Sequence, residues 1–440
     1  MSNPLAVELN EIIQRESPQV FEMLSALGRE LYFPKGILTQ TAEAKQKAKQ
    51  HNATIGIAKE NGQAMYLDSV MRYFVDLKPD ELLPYAPSPG RPDLRAKWKE
   101  MIVEKNPSLA SKQVGLPVVT SGITHGLSVV ADMFVDPGDV VMLPDMYWGN
   151  YNLIFAVRRG ATVDNYPLFS PDGSGFDTEG FRRAVLSRAP DGKMIVVLNF
   201  PNNPTGYSVA EAEAEAIRNA LEEAAAEHGC RIVVVCDDAY FGLFYEPQVL
   251  KESVFVRLAD LHESILAIKL DGATKEDYVW GFRTGFLTFG SKIGTADSYL
   301  ALEKKAGGLI RGTISNCAQI SQSILLKAMS SEDYPRQRQE KFDLMSGRAV
   351  KVKEVLSQPR FASAWTPYPF NSGYFMCVKL NGLEAEAYRV HLLENYGVGV
   401  IASGKSDIRV AFSCIEEDQI ESLFDTMLEC AEEMKGNKAG

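Results

Sequence analysis

The stretch SILAIKLDGATKEDYVWGFRTGFLTFG, residues 264–290, is two apolar runs joined by a polar turn that carries a lysine and an arginine. The first run is aliphatic and closed by Asp271 and Gly272, the pattern of a buried strand. The second, GFLTFG, follows the Arg283 turn too closely for a helical crossover, so it is expected to pair antiparallel with a neighbour. Lys275 lies in the turn, with Glu276 and Asp277 directly behind it and Arg283 ahead. A lysine that only solvates a loop needs no such surroundings. A lysine that forms a covalent adduct beside a phosphate wants them. Lys269 sits within the strand and Lys292 in a polar loop, so Lys275 is the best placed of the three.

The same punctuation recurs upstream. LPVVTSG, DVVMLPD, ATVDNYP, MIVVLNFP and RIVVVCDDAY read as buried strands, rich in Val and Ile and bounded by Gly, Pro, Asn or Asp. Thr124–Phe134 and Val209–His228 read as helices between them. Alternating strands and helices imply βαβ units: an α/β fold with a mostly parallel central sheet and helices on both faces. Past about residue 330 a long polar helical pattern, PRQRQEKFDLMSGRAVKVKEVL, precedes SGYFMCVKL, YGVGVIAS and DIRVAFS, which read as strands of a smaller α+β domain. The expected organisation is an N-terminal helical segment (1–71) packed with the small domain, a large domain (72–330) and the small C-terminal domain (331–440).

The chain has 440 residues and a formal net charge of -11, which argues against a nucleic-acid-binding surface. Its six cysteines are scattered, without a C-x-x-C pair or a cysteine–histidine cluster, so free core thiols and no metal site are expected. No apolar run reaches the ~18 residues of a transmembrane helix. The N-terminus, MSNPLAVELNEIIQRESPQV, carries acidic residues and no long apolar core, unlike a signal peptide. These features point to a cytoplasmic protein without membrane or nucleic-acid partners.

In open parallel sheets, ligands bind beyond the carboxyl ends of the strands. The unusual polar residues fall there. Ser121-Gly122-Ile123-Thr124 follows LPVVT and opens a helix, whose N-terminal N–H groups make an anion site. A tight turn with an N-cap explains the same residues equally well. PNNPTG follows MIVVLNF and centres on Asn203; turn chemistry alone accounts for Asn, Pro and Gly. Asp237 closes the apolar run IVVVC, where a buried carboxylate needs a cation or donor, and Tyr240 has the reach to share its space.

NNPTG, then CDDAY, then K-x7-R-x-G, in that order and on strand ends, resembles the class I/II aminotransferases, pyridoxal-phosphate enzymes of the aspartate-aminotransferase fold. The similarity spans roughly Asn52 to Ser413. The resemblance implies that Lys275 holds pyridoxal 5'-phosphate as an internal aldimine and later moves a proton at the substrate Cα. It implies that Asp237 pairs with the ring nitrogen, and that Asn203 and Tyr240 hydrogen-bond the ring's phenolic oxygen. Tyr147, in LPDMYWGNY, would stack on the ring; Gly122, Ile123, Thr124 and Arg283 would hold the phosphate. Tyr85, in YAPSPGRPDLR, matches a tyrosine that reaches the neighbouring subunit's phosphate, so a homodimer with shared sites is expected. Arg409, in DIRVAFS, would grip the α-carboxylate, for which a planar fork suits better than a lysine.

Three places depart from that pattern or sharpen it. A serine often stands where this chain has Gly272, so one phosphate donor is lost. Glu276 is expected to face solvent. Ile57, in ATIGIAKENG, is expected to narrow the substrate pocket. Arg311, in GLIRGTISNCAQ, resembles the arginine that dicarboxylate-using members place over the substrate's side-chain carboxylate from the second subunit; pairing with a protein carboxylate at the dimer interface is the alternative. The expected function is ping-pong amino transfer from an L-amino acid, aspartate or glutamate on the sharper reading, to a 2-oxo acid. The same fold also hosts lyases and decarboxylases. A ligand-sensing regulator is a third possibility, but it usually adds a basic DNA-binding module that the N-terminal segment does not contain.

Overall fold

Aliphatic runs with no polar face must be covered on both sides, and the computed structural model, which describes residues 3–34 and 36–436, buries them so. Seven strands form the central sheet: β1 (Val118–Thr120), β2 (Val140–Pro144), β3 (Thr162–Tyr166), β4 (Lys193–Asn199), β5 (Arg231–Asp237), β6 (Ile265–Asp271) and β7 (Gly285–Gly290). Their order across the sheet is β1-β7-β6-β5-β4-β2-β3. β2 through β6 pair in parallel, and β7 pairs antiparallel with both β6 and β1. β7 is therefore the one reversed strand of this sheet, as its short connection to β6 requires.

A second sheet, ordered β8-β9-β11-β10, is antiparallel throughout: β8 (Trp365–Pro367), β9 (Met376–Leu380), β10 (Ile401–Ala402) and β11 (Asp407–Val410). The helices that matter below are α1 (Ile37–Lys47), α2 (Gly122–Phe134), α3 (Ala296–Thr313), α4 (Tyr334–Leu356) and α5 (Ala385–Tyr396). α1 packs on the second sheet's side of the molecule: Gln40 exchanges hydrogen bonds with Ala402, and Glu43 pairs with Arg389 of α5. His51–Asn52 pairs in parallel with Val398–Gly399.

Two C-terminal strands differ from their sequence reading. YGVGVIAS is not one strand but two short ones in different sheets. Gly399 passes beneath Ala44 of α1, where a Cβ would sit 2.7 Å from the alanine's. SGYFMCVKL becomes a strand only at Met376. Its first residues dock instead on the NNPTG turn, with Asn371 and Ser372 N–H both donating to the Gly206 carbonyl. Gly206 has φ +72°, and a side chain there would run into the Phe375 carbonyl, so only glycine allows this junction.

The Lys275 turn is a single helical turn, Ala273–Glu276, at the end of β6. It is pinned from behind by buried charges. Glu276 does not face solvent: it is 4% exposed and pairs with Lys105 (2.7 Å) and with Arg338 of α4 (3.0 Å). Asp277 meets Arg338 at 3.2 Å and accepts from the Tyr334 hydroxyl at 2.6 Å. Two adjacent carboxylates in a dry site repel each other unless cations answer both, and Arg338 touches both. Arg338→Met is expected to leave Asp277 short of its cation and to lower stability by about 3 kcal/mol. Chemical denaturation measures this; a loss under about 0.5 kcal/mol, the size of an ordinary surface change, would contradict it.

Candidate active site

Because β1 runs with β2–β6, the carboxyl ends of six strands share one edge of the sheet. The reversed β7 presents its amino end on that edge, which is why Arg283, preceding β7, arrives beside Lys275, following β6. A cleft of about 380 Å³ opens there. Lys275, Asp237, Asn203, Tyr240, Ile123, Thr124, Arg283, Arg409 and Ile57 all line it. Gly122 lies beneath its floor: φ is +74°, and a Cβ would sit 2.5 Å from Arg283 Nη2. Glycine thus lets the guanidinium lie against the first turn of α2, placing a fixed cation next to the helix's free N–H groups.

Three nominated residues lie elsewhere. The Tyr147 side chain does not line the cleft; its hydroxyl accepts from Asn152 at 2.8 Å, and its neighbour Trp148 faces the cleft instead. Tyr85 is 92% exposed, and Arg311 is exposed at the end of α3, bonded to Ser315 Oγ at 2.7 Å. The segments that carry these two meet, since Ser88 Oγ donates to the Ser315 carbonyl at 2.8 Å.

Electrostatics separate the cleft's groups. Burial lowers the Lys275 amine to about 8; Asp237 opposes the shift and Arg283 adds to it. Burial pushes the Asp237 carboxyl up, while a Tyr151 hydrogen bond (2.6 Å) and the Lys275 charge pull it back. Burial likewise weakens the hold of Arg409 on its proton. Arg409 gives one N–H to Asn203 Oδ1 (3.1 Å) and one to the Thr54 carbonyl (2.9 Å), lies 4.2 Å over the Phe375 ring, and leaves Nε without a partner. A buried, half-satisfied guanidinium is a standing demand for a planar anion.

Several lining residues were not singled out in the sequence. Thr274 lines the cleft beside Lys275, its hydroxyl donating to the Thr284 carbonyl at 3.3 Å. Gly272 has no room for one, because a Cβ there would sit 2.8 Å from the Thr284 carbonyl. Trp280 lines the cleft and its indole N–H has no partner among the described residues. Ile37 and Leu38 enter from the start of α1, beside Ile55 and Ile57. Thr274 was visible as a hydroxyl next to the lysine; Ile37 and Leu38 carried no local signal. The donor set fits pyridoxal phosphate: a recessed amine of lowered basicity, a buried carboxylate for a ring cation, and an arginine laid on a helix N-terminus for a phosphate.

The family described as aminotransferase class I and II matches residues 49–427. A probable aspartate/prephenate aminotransferase of Aquifex aeolicus is 24% identical over 320 residues, 72% of this chain and 75% of its own. An aspartate aminotransferase of Pyrococcus horikoshii is 24% identical over 358 residues, 77% of this chain and 81% of its own. The crystal structure of an aminotransferase from Anaerococcus prevotii superposes with TM-score 0.82 at 21% identity, covering 92% of this chain and 98% of that one, and shares the fold. The chain belongs to the class I and II aminotransferases, pyridoxal-phosphate-dependent enzymes built on the aspartate-aminotransferase fold.

Proposed function

We propose that this aminotransferase takes the amino group of an acidic L-amino acid, aspartate or glutamate, and passes it to a 2-oxo acid in two alternating half-reactions. In this reading it works in the cytoplasm as a homodimer with shared sites, residues 72–330 forming the cofactor unit, and residues 331–440 with the N-terminal segment the smaller one. One observation carries the chemistry. The cleft is lined by three cations, Lys275, Arg283 and Arg409, against one carboxylate, Asp237, and so calls for two anionic groups on what it binds. A phosphate and an α-carboxylate supply them.

Bound pyridoxal phosphate supplies a carbonyl for the amino group and a ring that draws electrons from the bond to be broken. The chain supplies the rest. Arg283 and the N–H groups of Ile123 and Thr124 hold the phosphate. Asp237 keeps a proton on the ring nitrogen. Asn203 and Tyr240 serve the phenolic oxygen, and Trp148 offers the aromatic face that Tyr147 does not. Arg409 clamps the α-carboxylate and fixes which substituent of Cα faces Lys275. The Lys275 amine, once released, takes the proton from Cα; a base near 8 is better matched to neutral pH than an ordinary lysine.

The acidic substrate rests on Arg311. Among the described residues it pairs with no carboxylate, and it stands exposed, as Tyr85 does. Exposed apolar side chains flank the pair along the chain: Phe74, Val75 and Leu83 before Tyr85, Ile314 and Ile320 after Arg311. Such a face suits burial against a second copy, whose cleft would receive both polar groups. The names of the relatives, aspartate and aspartate/prephenate aminotransferases, support the same substrate class.

Arg311→Leu is expected to lower kcat/KM for aspartate by about a hundred-fold or more and to spare neutral donors. Because the arginine acts across the dimer, mixing and reassociating Arg311→Leu with Lys275→Ala subunits should restore aspartate activity in the mixed dimers. Equal losses for acidic and neutral donors would make Arg311 structural and leave the substrate open. A second expectation follows from the lysine. Only its neutral form attacks a carbonyl, so covalent capture of pyridoxal, lacking the phosphate, should quicken through pH 8 and level off above. Arg283→Gln removes one cause of the lowering and should move that midpoint up. A wild-type midpoint at the ordinary 10.5 would contradict the account.

A further inference from the structure

Tyr151 lines the cleft yet is only 1% exposed, and its hydroxyl donates to Asp237 Oδ2 at 2.6 Å. The other oxygen, Oδ1, accepts the Ala239 N–H at 3.2 Å. Among the described residues, Tyr240, Lys275 and the neighbouring thiol of Cys236 are the other titratable groups near this carboxylate, and Tyr151 is the side chain that hydrogen-bonds to it. We propose that Tyr151 is a positioning residue that keeps Asp237 ionised and oriented, and through it keeps a proton on the cofactor's ring nitrogen. The inference rests on the reading of Asp237 as that nitrogen's partner.

Three features support the role. The tyrosine cannot turn away: Trp148 meets its ring edge-on at 5.7 Å and Phe155 packs at 6.4 Å. It stands immediately before a π-helical turn, Asn152–Val157, a local widening of the helix that is frequent at functional sites. Burial and the neighbouring Asp237 charge push its phenol well above its ordinary value, so it remains a donor throughout the working pH range. A carboxylate buried without such a donor takes up a proton, and a neutral acid no longer favours a ring cation. The sink would weaken although the cofactor's phosphate contacts stayed intact.

The test compares two ligands of the cofactor-free protein: pyridoxal phosphate, and its carbocyclic analogue with C–H in place of the ring nitrogen. Tyr151→Phe keeps the ring packing and removes only the donor. It is expected to weaken pyridoxal phosphate about ten-fold, the scale of one hydrogen bond to a charged group, and to leave the analogue within about two-fold. The ring-nitrogen 15N resonance of the bound cofactor should move toward the unprotonated position. Equal losses for both ligands, or no loss for either, would overturn the proposal, since a merely structural tyrosine cannot sense one ring atom. Tyr151→His retains a ring and a donor and serves if the Phe variant does not fold. It should keep the wild type's preference for pyridoxal phosphate over the analogue, and losing that preference would overturn the proposal too. A wild type that binds both ligands alike would instead remove the Asp237 assignment beneath it.

Discussion

Two opposite charges, the Lys275 amine and the Asp237 carboxylate, face one cleft from which burial has removed most of their water. Each is made less willing to ionise by that burial, and each partly restores the other. This mutual dependence is what the surrounding structure maintains. Parallel strands deliver both residues to one edge of the sheet, because β5 and β6 are neighbours and end at the same level. The reversed β7 adds Arg283, whose charge holds the lysine's basicity down and whose side chain lies on the α2 N-terminus. Behind the lysine, Lys105 and Arg338 absorb the two acids that follow it, so neither Glu276 nor Asp277 competes for the amine.

A similar division appears one strand position away. Lys269 of β6 is fully buried and pairs with Asp238, which also accepts from Ser253 Oγ at 2.6 Å, while Asp271 accepts from the Trp98 indole at 3.1 Å. Alternate residues of a strand point to opposite faces, so Asp237 belongs to the cleft and Asp238 to a closed ion pair. One acidic dipeptide thus serves chemistry with one member and structure with the other.

The central sheet was legible because strands buried on both faces leave no polar positions to confuse the pattern, and because Gly, Pro and Asn mark where each ends. Asn203, Asp237, Lys275 and Arg283 were legible for a related reason: their motifs sit at those ends. What the sequence hid was set by packing between distant segments. YW at 147–148 offers two aromatics, and the choice of Trp148 depends on the entry into the following helix with its π turn. Glu276 looked solvated because its partners, Lys105 and Arg338, lie far along the chain in both directions. Ile37 and Leu38 reach the cleft only because α1 docks on α5 and β10. Arg409, by contrast, is in the cleft and buried, with a guanidinium whose Nε has no partner among the described residues.

In the proposed function Lys275, and neither of the lysines flanking it, is the covalent partner of the cofactor. Borohydride reduction of the holoenzyme, followed by peptide mass spectrometry, reads this directly. The reduced pyridoxyl mass is expected on Lys275. The closed ion pair of Lys269 with Asp238 and the position of Lys292 beyond β7 predict none on either of those. The adduct on Lys269 or Lys292, with Lys275 unmodified, would overturn that assignment.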